Sequence, residues 1–237
     1  MKRSKKILLM SFLCISGLSL QAQESSLPSG FTTGENVWIV RAGLSFNNVC
    51  GDGILDTKAY WASTNGAGEF ENVLGGSISF GLYCPLGSGP FYFGINAGAG
   101  MRGYKTSAKW QKDNLRSQET TLTAFNFQIS PSNFGYIAKI SEKTALDFHI
   151  GLFYSCDFAG SSETEKEFSD KSKESESVKI KDLEEYEKND IGVVGGIGLW
   201  INHWNIELNY QRGLAPINKE GKNLYSNRLL LTLGYAF

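Results

Sequence analysis

The residues able to do chemistry are few, and their spacing suits pairing better than catalysis. The chain has two histidines, His149 and His203. Each falls within or beside an alternating apolar segment, at the end away from the long polar stretches. Neither is placed with a serine and a carboxylate as a lipid-cleaving nucleophile and base would be. No Cys or His spacing suits a metal, there is no CxxC, and no glycine-rich phosphate loop opens a helix. The glycine runs Gly94 to Gly100 and Gly192 to Gly198 lie inside alternating segments, where glycine relieves crowding. No catalytic, cofactor-binding or metal-binding residue is therefore expected. What remains is a set of polar residues recurring opposite large apolar ones: Arg41, Asn96, Arg102, Asn126, Gln128, Asp147, His149, Glu207, Asn209 and Arg228. Charges shut away from water must pair. The expected chemistry is a buried polar network, with a gated ion path through Arg–carboxylate switching as the alternative. Arg41 and Glu207 are the expected mid-depth pair.

The elements that must position these residues are strands. The last twelve residues, SNRLLLTLGYAF, put Leu229, Leu231, Leu233, Tyr235 and Phe237 on one parity. Arg228, Leu230, Thr232, Gly234 and Ala236 take the other. Successive strand side chains point to opposite faces, so one face is large and apolar, the other small or polar. Such a terminal strand would invite aggregation in water. It fits the closing strand of a membrane barrel, and resembles the C-terminal signal by which outer-membrane barrels are recognised for insertion.

The same alternation predicts strands at 36–46, 73–84, 91–104, 144–158, 191–201 and 204–213. The segment 121–140 reads either as two short strands or as one. One irregular strand with a slip of face at Pro131 keeps the count even, as single-chain bacterial barrels require. The total is eight strands, with short connections at 85–90, 141–143 and 202–203 and long ones at 47–72, 105–120, 159–190 and 214–225. Short periplasmic turns alternating with long extracellular loops is the barrel pattern. The fold class expected is thus all-β, an eight-stranded antiparallel up-and-down transmembrane barrel over residues 36–237. Trp38, Phe91, Tyr235 and Phe237 would form an aromatic girdle at the periplasmic side.

Residues 1–22 read as a cleaved signal peptide: Lys2, Arg3, Lys5 and Lys6, then an apolar run from Ile7 to Leu20, then Gln21-Ala22-Gln23. Residues 23–35 read as a polar periplasmic leader. The acidic stretch 159–190 is expected to be a surface loop or a hairpin projecting into water. Cys50, Cys84 and Cys156 follow the signal, and a Cys50–Cys156 disulfide is one option in an oxidising compartment. The basic, aromatic stretch KWQKDNLR at 109–116 is expected in a loop near lipopolysaccharide phosphates. A formal net charge of −1 argues against nucleic acid as a partner.

Two stretches carry a family resemblance. QISPSNFGYIAKISEKTALDFHIGLFYSCDF, followed by IGVVGGIGLWINHWNIELNYQRGLAPI and the terminal strand, resembles the PorT-like outer-membrane β-barrels. A strand carrying a proline, a short turn, a Gly-rich strand and the end Tyr210-Gln211-Arg212-Gly213-Leu214 recur there in this order. The resemblance implies a small barrel of the OmpA/OmpX kind. It also implies, as an alternative role, a component of an export machinery across the outer membrane. The reading of the residues themselves is a monomeric, non-enzymatic barrel with no cofactor. Its partners would be outer-membrane lipid and lipopolysaccharide, the barrel-assembly machinery during insertion, and a protein at the loops.

Overall fold

A computed structural model of the chain describes residues 26–28, 30–110, 114–218 and 223–237. The expected signal peptide, 1–22, lies outside them. Ten strands form one antiparallel sheet: β1 (Val37–Cys50), β2 (Gly66–Glu71), β3 (Val73–Pro85), β4 (Phe91–Trp110), β5 (Leu115–Lys139), β6 (Thr144–Phe168), β7 (Lys173–Lys179), β8 (Asn189–Ile201), β9 (Trp204–Pro216) and β10 (Tyr225–Ala236). Eight of them pair in the order β4-β3-β1-β10-β9-β8-β6-β5, and β5 pairs back onto β4. The ring is closed. Each wall strand is hydrogen-bonded on both sides, which is how β-structure satisfies its backbone in lipid.

The two faces of the wall differ as alternation requires. Outward residues form a continuous apolar belt that includes Leu44, Ile78, Phe127, Ile150, Ile197, Leu208 and Leu231, all exposed. Water-soluble monomers do not carry apolar patches of that extent, so the barrel spans a membrane. The girdle expected at the turn end is larger than its four members. Trp38 stacks on Phe80, Phe80 neighbours Phe237, Phe91 packs on Phe134 and Tyr136, and Trp204 meets Tyr235.

The segment around Pro131 is one strand, β5, and its register against β6 shifts between Ile129 and Ser132. Phe125, Phe127 and Ile129 face out before the shift; Phe134 and Tyr136 face out after it. The extra residue changes which parity meets lipid, as a bulge must. In the two-residue turn between β8 and β9, Asn202 takes a φ of 55°, a left-handed conformation that asparagine tolerates.

Three expectations are corrected. The connections 105–120 and 159–190 are largely strand. β5 and β6 each run 25 residues, about 80 Å at the usual rise, against a membrane band of roughly 25 Å. β2 pairs with the extension of β4, and β7 with that of β6. A five-stranded blade, β2-β4-β5-β6-β7, therefore stands above the loop-end rim. Lys109, Trp110, Leu115 and Arg116 belong to its strand ends rather than to a loop. Within 47–72 a helix, α2 (Gly53–Ser63), packs Trp61 against Phe70 of β2, a pairing hidden from period-2 reading.

The leader is not simply polar tail. Leu27 and the short helix α1 (Gly30–Thr33) fold across the turn-end mouth. Leu27 and Phe31 are buried with Tyr83, Tyr92, Ile137 and Trp200, and the Phe31 ring meets that of Trp200 edge-on at 5.1 Å. Gly34, with a φ of 80°, turns the chain back into β1. Apolar side chains leave water here by stoppering the barrel, a burial that two residues in a polar segment do not announce.

Candidate functional site: the barrel lumen

Eight strands leave an interior that side chains can fill, and here polar ones fill it in two clusters. Towards the turn end, Arg41 on β1 is 3 % exposed and reaches partners on three other strands, β3, β4 and β9. Its guanidinium lies 3.0 Å from Glu207 Oε2 and donates to Asn205 Oδ1 and Asn96 Oδ1, each at 3.2 Å. It also donates to the Tyr83 hydroxyl and sits over that ring, 5.2 Å from its centroid. Asp147 on β6, fully buried, accepts from Tyr92 Oη at 2.8 Å and from Trp200 Nε1 at 3.4 Å.

His149 joins the two carboxylates. Its Nδ1 lies 3.6 Å from Asp147 Oδ1, and its Nε2 is 2.7 Å from Asn209 Oδ1. Asn209 in turn donates to Glu207 Oε1. One ligand atom each from Asp147, His149 and Glu207 falls within 4.8 Å of the others. Three such residues can hold a cation in principle. Here the Arg41 guanidinium already occupies Glu207, and two ring donors occupy Asp147, so the donor set does not fit a metal.

Towards the loop end the second cluster centres on Arg102 of β4. Its Nη2 lies 2.8 Å from Asp157 Oδ2, and Nη1 lies 2.9 Å from Asp190 Oδ2. Tyr186 donates to Asp157, Ser226 donates to Asp190, and Arg102 Nη2 also reaches the Lys188 carbonyl at 3.3 Å. Lys188 and Tyr186 belong to the connection between β7 and β8. That connection folds Ile180 and Tyr186 onto Leu122 and Ala124, covering the loop-end mouth. The acidic stretch thus contains buried anchors, and the lumen is covered at both ends.

Arg228 stands between the clusters. It crosses from β10 to Gln128 on β5, the opposite wall, donating to Oε1 at 3.2 Å. A polar cavity of about 80 Å³ lies beside it. The six ionisable residues among the ten lumen residues named from sequence therefore separate into Arg41, Asp147, His149 and Glu207 together, Arg102 apart, and Arg228 between. Sequence reasoning missed Tyr83, Tyr92 and Trp200, and also Asp157, Asp190 and Tyr186. Asp157 was within reach, since it continues the inward parity of Asp147 and His149; Tyr186, on a non-strand connection, carried no periodic signal at all.

The three cysteines are free, and Cys50 and Cys156 lie on β1 and β6, four strands apart in a ring of eight. A disulfide between them is geometrically excluded. Leu229, Leu231 and Leu233 face outward on β10 and Phe237 is exposed at its end, whereas Tyr235 is half-buried against Trp204 and His203.

No family model and no curated protein matches the chain in sequence. Solved structures similar to it are outer-membrane proteins. Ail, the attachment invasion locus protein of Yersinia pestis, aligns at 12 % identity and a TM-score of 0.38, covering 86 % of this chain and 99 % of Ail. Neisserial surface protein A aligns at 10 % identity and 0.38, covering 86 % and 100 %. OprG of Pseudomonas aeruginosa aligns at 10 % and 0.37, covering 87 % and 98 %. Likeness at this level carries no argument about role; the barrel rests on the closed pairing of its own strands.

Proposed function

We propose that the chain is a non-enzymatic, monomeric protein of the Gram-negative outer membrane, delivered by a cleaved signal at 1–22. In this reading it displays its five-stranded blade and α2 to the cell exterior. The observation that carries it is the division of one sheet. A lipid-matched belt surrounds a polar, covered lumen, and the same strands continue well beyond any membrane into a blade whose β6–β7 end is polar on both faces and whose β2–β4 end is covered by α2. The short turns and the girdle then lie on the periplasmic side. Outer-membrane lipid and lipopolysaccharide surround the belt, the barrel-assembly machinery reads the final strand, and a protein partner meets the blade.

A narrow ion passage is the competing reading, and the cover at both mouths counts against it. Planar bilayers containing the full chain should be electrically silent. Steady conductance that falls on Glu207→Ala would replace display with transport. The export-machinery role implied by the PorT-like resemblance rests on strand pattern alone; co-purification of the chain with an export complex is its test.

The architecture is tested by gel mobility of the membrane-extracted protein before and after boiling. A heat-dependent shift, with the protein in the outer-membrane fraction and β6–β7 cleaved by protease added to whole cells, is expected. Protein recovered without detergent, or cleavage only after the cells are broken, would sink the reading.

A further inference from the structure

The apolar belt is not uniform around the wall. On β4 the outward positions run Phe91, Phe93 and Ile95, then drop to Ala97 and Ala99 before Met101. Ala97 stands between Phe80 on β3 and Ile129 on β5, and Ala99 between Ile78 and Phe127. Large side chains on both neighbours thus wall a floor made of two methyl groups. The trough has a volume of about 590 Å³ and reaches from Val40 on β1 to Tyr154 and Cys156 on β6. That volume falls within the roughly 300–1,000 Å³ of small-molecule sites. Ser79 and Gln128, in register with Gly98 on the lumen parity, also border it.

The small residues of the floor have different causes. Gly98 is small for a reason within the wall, since a Cβ there would run into the Ile78 carbonyl. Ala97 is exposed and Ala99 partly so, and both point outward, where longer side chains have room. Their smallness leaves a space that something outside the chain must fill, because an apolar surface facing a void forfeits its dispersion contacts.

Depth selects the filler. Ala97 and Ala99 fall in the loop-end half of the β4 belt, Phe91 to Met101, and Tyr154 and Cys156 lie towards the loop end of the β6 belt. In the orientation proposed above, that half of the wall meets the outer leaflet. In hydrocarbon, association is driven by packing and not by expulsion of water, so the occupant is whatever conforms best to the trough. A second copy brought up by a two-fold axis would present the same patch, setting one hollow against another. A flexible acyl chain fills the hollow directly. Lipopolysaccharide joins several such chains to one head group, so its other tails keep the seated one close.

We propose that the trough over Ala97 and Ala99 seats one acyl chain of an outer-leaflet lipopolysaccharide. The site rests on the outer-membrane reading above and adds to it a fixed place for one lipid on an otherwise general belt.

The test uses the full chain in phosphatidylethanolamine vesicles doped with lipid A that carries a diazirine on one acyl chain. A phosphatidylethanolamine bearing the same group is the parallel probe. After illumination, label from lipid A should be several-fold denser on the peptides holding Ala97–Ala99 and Phe127–Ile129 than on those holding Leu208 and Leu231. The double variant Ala97→Phe with Ala99→Phe should keep the heat-dependent mobility shift, since both side chains point out of the wall, and should even out the labelling. Uniform label on the native chain would overturn the proposal, as would the same concentration of label from the phosphatidylethanolamine probe. Cys156–Cys156 disulfides between copies on mild oxidation, with the trough unlabelled, would put a second copy there instead. Label on no belt strand, together with no heat-dependent shift, would sink the outer-membrane reading itself. Should the double variant fail to fold, the distribution of label on the native chain decides.

Discussion

The two arginine clusters use the same charges for different ends. Each sets one buried guanidinium against two buried carboxylates, yet Arg41 touches only residues of the wall, while Arg102 also holds the β7–β8 connection through the Lys188 carbonyl, with Tyr186 sharing Asp157. The first cluster ties β1 to β3, β4 and β9 across the lumen. The second ties a surface segment down onto the rim. A buried ion pair is weak evidence for stability in itself; what differs here is what each pair holds in place.

Breaking the clusters one at a time sharpens that contrast. Arg41→Ala strands Glu207 beside Asp147 and should destabilise the barrel by about 3–5 kcal/mol, seen as a lower urea midpoint in micelles. Arg102→Ala should cost a similar amount, but with an added signature. Protease should cut the chain near Lys181–Lys188 in Arg102→Ala barrels that are still folded, and not in Arg41→Ala. Equal cutting in both would mean the second cluster is no tether.

Leu231→Arg tests the wall that both clusters rely on. A cation at mid-bilayer on the lipid face costs roughly 2–4 kcal/mol, so insertion should fail, while Thr232→Ser, one residue on and facing the lumen, should insert normally. Equal behaviour would mean the facing of β10 is wrong. A smaller effect is expected for Tyr186→Phe, which removes one hydrogen bond to a charged acceptor. The cost is about 1.5–3 kcal/mol at most, and it should appear as faster amide exchange in the β7–β8 connection with a urea midpoint lowered less than in Arg102→Ala. The least effect belongs to the blade. Lys105 Nζ lies 2.9 Å from Glu119 in a half-exposed pair, so Lys105→Met should change stability by under about 1 kcal/mol. Raising salt should erase the difference.

Much of the wall was legible in residue order because lipid and lumen demand opposite side chains, and alternation records that demand position by position. Leu229, Leu231 and Leu233 against Leu230 and Thr232 show it, and so does the change of parity across Pro131. The extension of β5 and β6 was illegible for the converse reason. Above the membrane both faces of Glu163–Glu167 and Lys173–Lys179 meet water, so a strand there carries no alternation and reads as a loop. Helix α2 and the Leu27–Phe31 stopper escaped because each buries only one or two side chains in otherwise polar sequence.

The sequence by itself determined the eight strands of the wall, the facing of most of their residues and the class of membrane structure, since period-2 patterning is a local property that a single chain displays wherever its two faces meet different surroundings. Only the tertiary structure decided which lumen residues meet. Ring closure and register bring Arg41 to Glu207 and Arg102 to Asp157 and Asp190, and leave Arg228 facing a cavity. Depth along the axis and neighbours across the lumen are set by how eight strands stagger against one another, and no one strand carries that information.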